Sequence, residues 1–213
     1  MKIKKPISDA VVRRMPRYYR CLKELERAGV KRVSSTTISE ILNITASQVR
    51  QDFSNFGEFG QQGYGYDLVY LKAQIRAILG LDKEYGVVIV GGGHIGLALA
   101  NYEKYSREGF RILAVFDVKF DHIKAPRGVE ILHIDEFEKF VEENKVDICA
   151  ITTQKETALS IAEKAKECGI SAIWNFAPID IHEDDNTVVE NLNLNESLFT
   201  LCYKLNAKEL EEV

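Results

Sequence analysis

The stretch Val87-Val88-Ile89-Val90-Gly91-Gly92-Gly93-His94-Ile95-Gly96 decides the fold. Four β-branched residues in a row read as a strand buried on both faces, as in parallel sheets. Glycines at the spacing Gly-x-Gly-x-x-Gly follow, and Leu97-Ala98-Leu99-Ala100 opens a helix. Gly91 permits the tight turn, Gly93 lets a pyrophosphate approach the backbone, and Gly96 lets helix and strand pack closely. Gly92, His94 and Ile95 complete the loop, whose unpaired amides at the helix start favour phosphate. About 20 residues on, the strand Ile112–Phe116 ends at Asp117, the position of the acid in a dinucleotide fingerprint. Asp117 can accept hydrogen bonds from ribose hydroxyls and would repel a 2′-phosphate, which favours NAD(H). Lys119, beyond Val118, pulls toward NADP(H).

Toward the C-terminus the pattern alternates: strand 130–133, helix 135–143, strand 146–152, helix 155–168, strand 171–176, strand 187–192. Alternating strands and helices make an α/β chain with a doubly wound parallel sheet, the Rossmann arrangement. Ligands of such sheets lie beyond the carboxyl ends of the strands. Thr152, Thr153 and Gln154 would therefore pass the ribose or pyrophosphate. Asn175, Phe176, Ala177 and Pro178 would form a nicotinamide pocket, with Asn175 bonding the carboxamide. A last helix spans Glu196–Leu210.

Toward the N-terminus a different module is legible. Pro16 suits the first turn of a helix through Leu25, closed by Gly29. Thr37 with Glu40 and Thr45 with Gln48 have capping-box spacing, each opening a short helix. Glycines 57, 60, 63 and 65 then space out Phe59, Tyr64 and Tyr66 as a tight hairpin, and Asp67 can cap a fourth helix ending at Gly80. Helix, helix-turn-helix, hairpin, helix is the order of a winged helix-turn-helix. Expected boundaries are 1–80 for this module, 81–193 for the Rossmann domain and 194–213 for a C-terminal dimerisation helix.

The net charge of −4 argues against nucleic acid only when taken whole. Residues 1–80 carry a net +7 and the remainder −11, a basic module joined to an acidic one. In a helix-turn-helix the second helix enters the major groove. Thr45, Ala46, Ser47, Gln48, Arg50 and Gln51 are suited to base edges: Gln pairs with adenine, Arg with guanine, and Ala or Thr touches a thymine methyl. Arg32, Ser34 and Ser35 would hold phosphates, and Gln61, Gln62, Gly63 and Tyr64 on the hairpin would reach the minor groove.

Other classes are disfavoured. No apolar run approaches a membrane span, and the lysines at positions 2, 4 and 5 precede no apolar segment of a signal peptide. Four dispersed cysteines and four histidines lack ligand spacing, so no metal is expected, and the thiols read as reduced in a cytoplasmic protein.

Taken together, the chain resembles the Rex family of bacterial redox-sensing repressors. The resemblance is carried by Tyr19-Arg20 with Leu22, Ser34-Ser35, Thr45 through Asp52, Phe56-Gly57 with Gly60, Gly63, Gly65 and Tyr66, Leu79-Gly80-Leu81, Val88 to Gly96, Phe116-Asp117-Val118, and Asn175-Phe176-Ala177-Pro178. It implies a homodimer with swapped C-terminal helices, bound to a palindromic DNA operator. NADH is then the effector that releases DNA, and NAD+ competes with it. Three departures stand out: Gln51 replaces a usual Lys, Thr152-Thr153-Gln154 replaces a Val-Pro, and Asn193-Leu194 replaces an Asp-Phe. In relatives that Asp meets an Arg and a Tyr matching Arg20 and Tyr102, so Asn193 would offer only a neutral hydrogen bond in the switch. Leu194 would reach the partner's nicotinamide pocket. The expected protein is no enzyme. The rival is an NAD-dependent oxidoreductase, for which Tyr19 and Lys23 have the Tyr-x-x-x-Lys spacing but precede the dinucleotide fold; a third reading is the NAD(H)-binding regulatory module of a transporter.

Overall fold

The computed structural model describes residues 7–57, 59–61, 64–124, 126 and 128–211. The chain divides between Lys83 and Glu84 into two compact units.

The first unit runs α1 (Asp9–Arg27), β1 (Arg32–Val33), α2 (Ser35–Leu42), α3 (Ala46–Ser54), β2 (Gly60–Gln61), β3 (Gly65–Asp67) and α4 (Leu68–Ile78). The three strands form one antiparallel sheet in the order β1-β3-β2, so the β2–β3 hairpin stands as a wing on a helix-turn-helix. Its core is Met15, Tyr18, Leu22, Ile38, Val49, Phe53, Leu68, Leu71 and Ile75. Phe53 is the hub: the rings of Tyr18, Phe59 and Tyr66 meet it edge-on at 5.0, 5.9 and 5.4 Å. Asn43 adopts the left-handed conformation (φ 52°) between α2 and α3, which Asn tolerates better than most residues.

In this unit one helix start and one cap differ from expectation. α1 begins at Asp9, with Pro16 in its interior. Pro16 removes the bond to the Val12 carbonyl, but both residues lie on the exposed side, and burial of Val11 and Met15 holds the preceding turn in place. α2 is capped by Ser34 rather than Thr37: Ser34 Oγ accepts the Thr37 amide at 3.0 Å. Pairing of Val33 with Tyr66 fixes the residue just ahead of that cap, and the helix begins at Ser35. Thr45 and Asp67 cap α3 and α4 as read from the sequence.

The second unit continues with β4 (Tyr85–Val90), α5 (His94–Ala100), α6 (Lys104–Arg107), β5 (Phe110–Asp117), β6 (Glu130–His133), α7 (Phe137–Glu143), β7 (Ile148–Ile151), α8 (Lys155–Glu167), β8 (Ala172–Asn175), β9 (Val188–Asn191) and α9 (Leu194–Glu211). The six strands are all parallel, in the order β6-β5-β4-β7-β8-β9. This is the dinucleotide-fold order, which reverses between β4 and β7 and opens a crevice at their carboxyl ends. Alternate β4 residues serve opposite layers. Val88 and Val90 pack with Phe137 of α7 and Ala158 and Ala162 of α8. Val87 and Ile89 pack with Leu99 and Ala100.

α9 differs from every other long helix. From Leu194 to Lys208 its side chains are all exposed except half-buried Ala207. Leu194, Leu198, Leu201 and Leu205 make one apolar stripe, each more than half exposed.

Candidate functional site

The glycine loop follows β4 and caps α5. Gly91 has φ 107°, and a Cβ there would lie 2.8 Å from the Thr152 carbonyl. A Cβ on Gly96 would collide with the Gly91 carbonyl and approach Thr152 Oγ1 to 2.8 Å, so only hydrogen fits at this helix–strand contact. Gly93 is the reverse case: nothing lies within 4 Å of the position of its missing Cβ. Open space beside backbone there is what an approaching pyrophosphate needs. His94 and Ile95 stand exposed in the first turn of α5.

Asp117, at the end of β5, ties the loop down. Its Oδ2 accepts the Gly92 amide at 2.6 Å and its Oδ1 accepts the Lys119 amide at 2.8 Å. One lone pair on each oxygen remains for a ribose hydroxyl. Ile123 closes over Gly92, a contact not anticipated from the sequence. Val118 and Lys119 are exposed at this rim.

Thr152 and Asn175 have other work than expected. The Thr152 amide donates to the Val90 carbonyl at 2.8 Å, and its hydroxyl lies 2.8 Å from the Gly91 carbonyl, so Thr152 braces the loop from behind. Asn175 is fully buried. It donates to the Ile179 carbonyl (2.6 Å) and Asn191 Oδ1 (2.8 Å), and its Oδ1 accepts the Ala177 amide at 3.0 Å. Both N–H donors are occupied in shaping the turn after β8, which leaves no donor for a carboxamide. Asn191, which sequence reasoning missed, completes that network by donating to the Ile181 carbonyl.

Thr153 Oγ1 is different. It is buried just beyond β7 and has no hydrogen-bond partner among the described residues. A buried hydroxyl without a partner costs free energy that a ligand oxygen would recover. With the open space at Gly93 and the free lone pairs of Asp117, the residues present fit a dinucleotide. Phe176 flanks the site, its ring 4.5 Å from that of Trp174. Ala177 is buried, and Pro178 and Leu194 are exposed. Among the described residues no metal-binding group occurs, and no helix is long and apolar enough to cross a membrane.

In the first unit α3 presents Thr45, Ser47, Arg50 and Gln51 to solvent, with Ala46 and Gln48 half-buried and Val49, Asp52 and Phe53 buried behind them. Buried Asp52 is the feature the sequence did not reveal. It accepts two hydrogen bonds from the Arg14 guanidinium (2.6 and 2.9 Å), one from the Tyr18 hydroxyl (2.7 Å) and one from Gln48 Nε2 (2.7 Å). Burial pushes its pKa up, but these bonds outweigh burial and hold it below the ordinary carboxylate range. Tyr18 is pushed the other way, by burial and by the same carboxylate. Gln48 is thereby drawn inward and does not close the capping box on Thr45.

Several expected phosphate contacts also have partners. Ser34 Oγ caps α2, Ser35 Oγ accepts from Arg50 Nη1 at 3.0 Å, and Arg32 Nε donates to the Tyr64 carbonyl at 3.1 Å, bracing the wing. The guanidinium groups of Arg32 and Arg50 each have further N–H donors beyond these bonds. Tyr64 is 72% exposed on the wing. Gln62, Gly63 and the side chain of Gln61 lie outside the described residues. Of the expected switch residues, Arg20 and Tyr102 are exposed. Asn193 Oδ1 accepts the Asn195 amide at 3.0 Å and so caps α9.

Residues 6–54 match the profile described as "Putative DNA-binding protein N-terminus", and residues 82–179 match that of the "CoA binding domain". A redox-sensing transcriptional repressor Rex from Clostridium novyi is 49% identical over 208 residues, 97% of this chain and 99% of the relative. Another, from Caldanaerobacter subterraneus, is 44% identical across 99% of this chain and 94% of its own length. The chain belongs to the Rex family. The same holds in three dimensions. The Rex-family repressor RSP, solved with β-NAD+ and operator DNA, superposes with a TM-score of 0.90 at 44% identity, over 98% of this chain and 97% of the other. RSP solved with β-NADH gives 0.88 at 42% identity, over 98% and 99%. Rex membership thus accounts for both modules and their order along the chain.

Proposed function

We propose that this chain is a transcriptional repressor that holds a palindromic DNA operator as a homodimer and releases it on binding NADH, with NAD+ competing for the same site. One observation carries the reading. A recognition helix on a basic module and a glycine loop backed by Asp117 occur in one chain, superposable on a repressor solved with both NAD+ and operator DNA.

The division of labour follows the sequence boundaries: 1–80 binds DNA, 81–193 binds the dinucleotide, and 194–213 joins two copies. Gly93 and the first amides of α5 face the pyrophosphate, Asp117 takes a ribose, and Thr153 donates to the ligand. The exposed stripe of α9 supports dimerisation. Burying one leucine contributes roughly 1.5–3 kcal/mol, so four left in water need a covering surface, and a second copy supplies the same stripe in return. Phe176, Ala177 and Pro178, together with Leu194 of the partner subunit, line an apolar nicotinamide pocket. Such a pocket prefers the neutral reduced ring, because burying the unpaired positive charge of the oxidised ring is costly.

NADH can act only through different affinities for two arrangements of the dimer. A palindrome needs its two recognition helices about 34–36 Å apart, or a multiple of that. Closure of the dinucleotide domains on each other re-aims the helices and spoils that distance. Asn193 contributes to that closure, with Arg20 and Tyr102, as a neutral hydrogen-bonding group where an acid would form an ion pair. The protein is cytoplasmic and carries out no redox chemistry. The deciding experiment is a DNA titration at fixed salt, alone, with NADH and with NAD+. NADH weakens binding, and by linkage DNA weakens NADH by the same factor. Equal affinity in all three, or turnover of NADH with candidate substrates, refutes the reading.

A further inference from the structure

Three side chains of α3 are long enough to bridge to a base edge with an amide or guanidinium: Gln48, Arg50 and Gln51. The structure does not leave them equivalent. Gln48 is half-buried, and its Nε2 is anchored at 2.7 Å on Asp52, itself wholly buried and held by Arg14 and Tyr18. An amide drawn onto a buried carboxylate cannot also lie flat against a base edge in the groove. Arg50 is exposed and leans on Ser35 Oγ, but a guanidinium has donors only.

Gln51 is exposed, and its side-chain amide has no hydrogen bond within the described residues. Only its backbone carbonyl is engaged, by Ser54 Oγ at 2.7 Å and Asn55 Nδ2 at 3.0 Å. It shares the helix face of Ser47 and Ser54, four residues before and three after, opposite buried Val49 and Phe53. In the major groove adenine offers an acceptor, N7, beside a donor, the N6 amino group. A two-point match needs one donor and one acceptor on the same planar group, which an amide has and a guanidinium or ammonium lacks.

We propose that Gln51 is the residue through which the recognition helix reads adenine, and that Asp52 withdraws Gln48 from readout. The proposal rests on the DNA-binding reading and adds the base it specifies. Each half-site of the operator then contains one adenine whose N7 and N6 both contribute to binding through Gln51.

The test uses full-length protein and a duplex selected by it from a random pool. Every base pair of one half-site and its symmetry mate is then changed in turn, and each adenine is also replaced by 7-deazaadenine, which lacks only the N7 acceptor. Wild type should lose roughly ten-fold or more in affinity at one symmetric adenine when the pair is changed, and a measurable part of that on deaza substitution. Gln51→Ala should bind that duplex more weakly and be indifferent to both changes, while keeping its preferences elsewhere. Gln51→Lys should move the preference at that pair to guanine, which presents two acceptors. Gln48→Ala should retain the wild-type preference for that adenine even where its overall affinity falls. Retention of every adenine preference by Gln51→Ala, or loss of that adenine's preference in Gln48→Ala, overturns the assignment. Failure of wild type to select any duplex overturns the DNA-binding reading itself.

Discussion

Replacing Asp52 with Ala should cost the first unit about 3 kcal/mol. The carboxylate is fully buried and each of its oxygens accepts two hydrogen bonds, from Arg14, Tyr18 and Gln48. Removing one partner of a buried ion pair typically costs about 3–5 kcal/mol, because the other charge is left uncompensated. The lower end applies here, since the Arg14 side chain keeps 23% of its surface in water and can turn outward. The Tyr18 hydroxyl has no such escape. A unit of this length is stabilised by roughly 4–12 kcal/mol in all, so the loss is a large share. Its melting midpoint should fall by about 12–24 °C, followed by calorimetry on the full chain, while a second transition still shifts upward with NADH. The double variant Arg14→Met with Asp52→Leu should recover much of the loss, because apolar replacement of both partners removes the unpaired charge. The pH dependence has a definite sign. A carboxylate whose folded pKa is depressed contributes stability above its unfolded value, about 3.9, and that contribution disappears as pH falls through the folded value. Wild type should therefore lose this contribution only below about pH 4, and Asp52→Ala should lack that step. An Asp52→Ala protein within about 1 kcal/mol of wild type would refute this reasoning.

Other expectations follow from the dinucleotide site and α9. Gly96→Ala places a methyl against the Gly91 carbonyl and Thr152, so NADH affinity should drop at least ten-fold by fluorescence titration, leaving operator binding intact and insensitive to NADH. Thr153→Val removes the unpartnered hydroxyl but keeps its volume; NADH affinity should fall several-fold with no loss of melting temperature. Leu198→Glu with Leu201→Glu should shift the protein from dimer to monomer in sedimentation and abolish operator binding while the fold of the first unit persists.

The fold was legible because its signals are local. A β-branched run, three glycines and an acid about 20 residues on need no tertiary knowledge, and Thr45 and Asp67 cap the helices they begin. What stayed hidden is non-local. Nothing near Asp52 announces Arg14, which lies 38 residues earlier, although an acid between Val49 and Phe53 on the buried side of α3 was a signal of an inward partner. Asn175 read as a ligand contact because strand-end polar residues face ligands in such sheets, yet Asn191 and the Ile179 carbonyl take its donors. Thr152 and Thr153 read alike as ligand contacts from their place after a strand, yet Thr152 spends its hydroxyl on the Gly91 carbonyl while Thr153 Oγ1 has no partner among the described residues. Pro16 misled because burial of Met15 outweighs one missing hydrogen bond.

The bare stripe of α9 also bears on how this protein is made. Helices in proteins are held chiefly by packing of an apolar face, and the 18-residue α9 has that face bare. In the proposed homodimer a freshly synthesised chain reaches its finished form only after meeting another, and its stability rises with its own concentration. At low copy number, unpaired chains expose leucines that proteases and chaperones recognise. Cellular abundance would then be self-limiting at the low end, so that repressor molecules persist as complete pairs or are cleared.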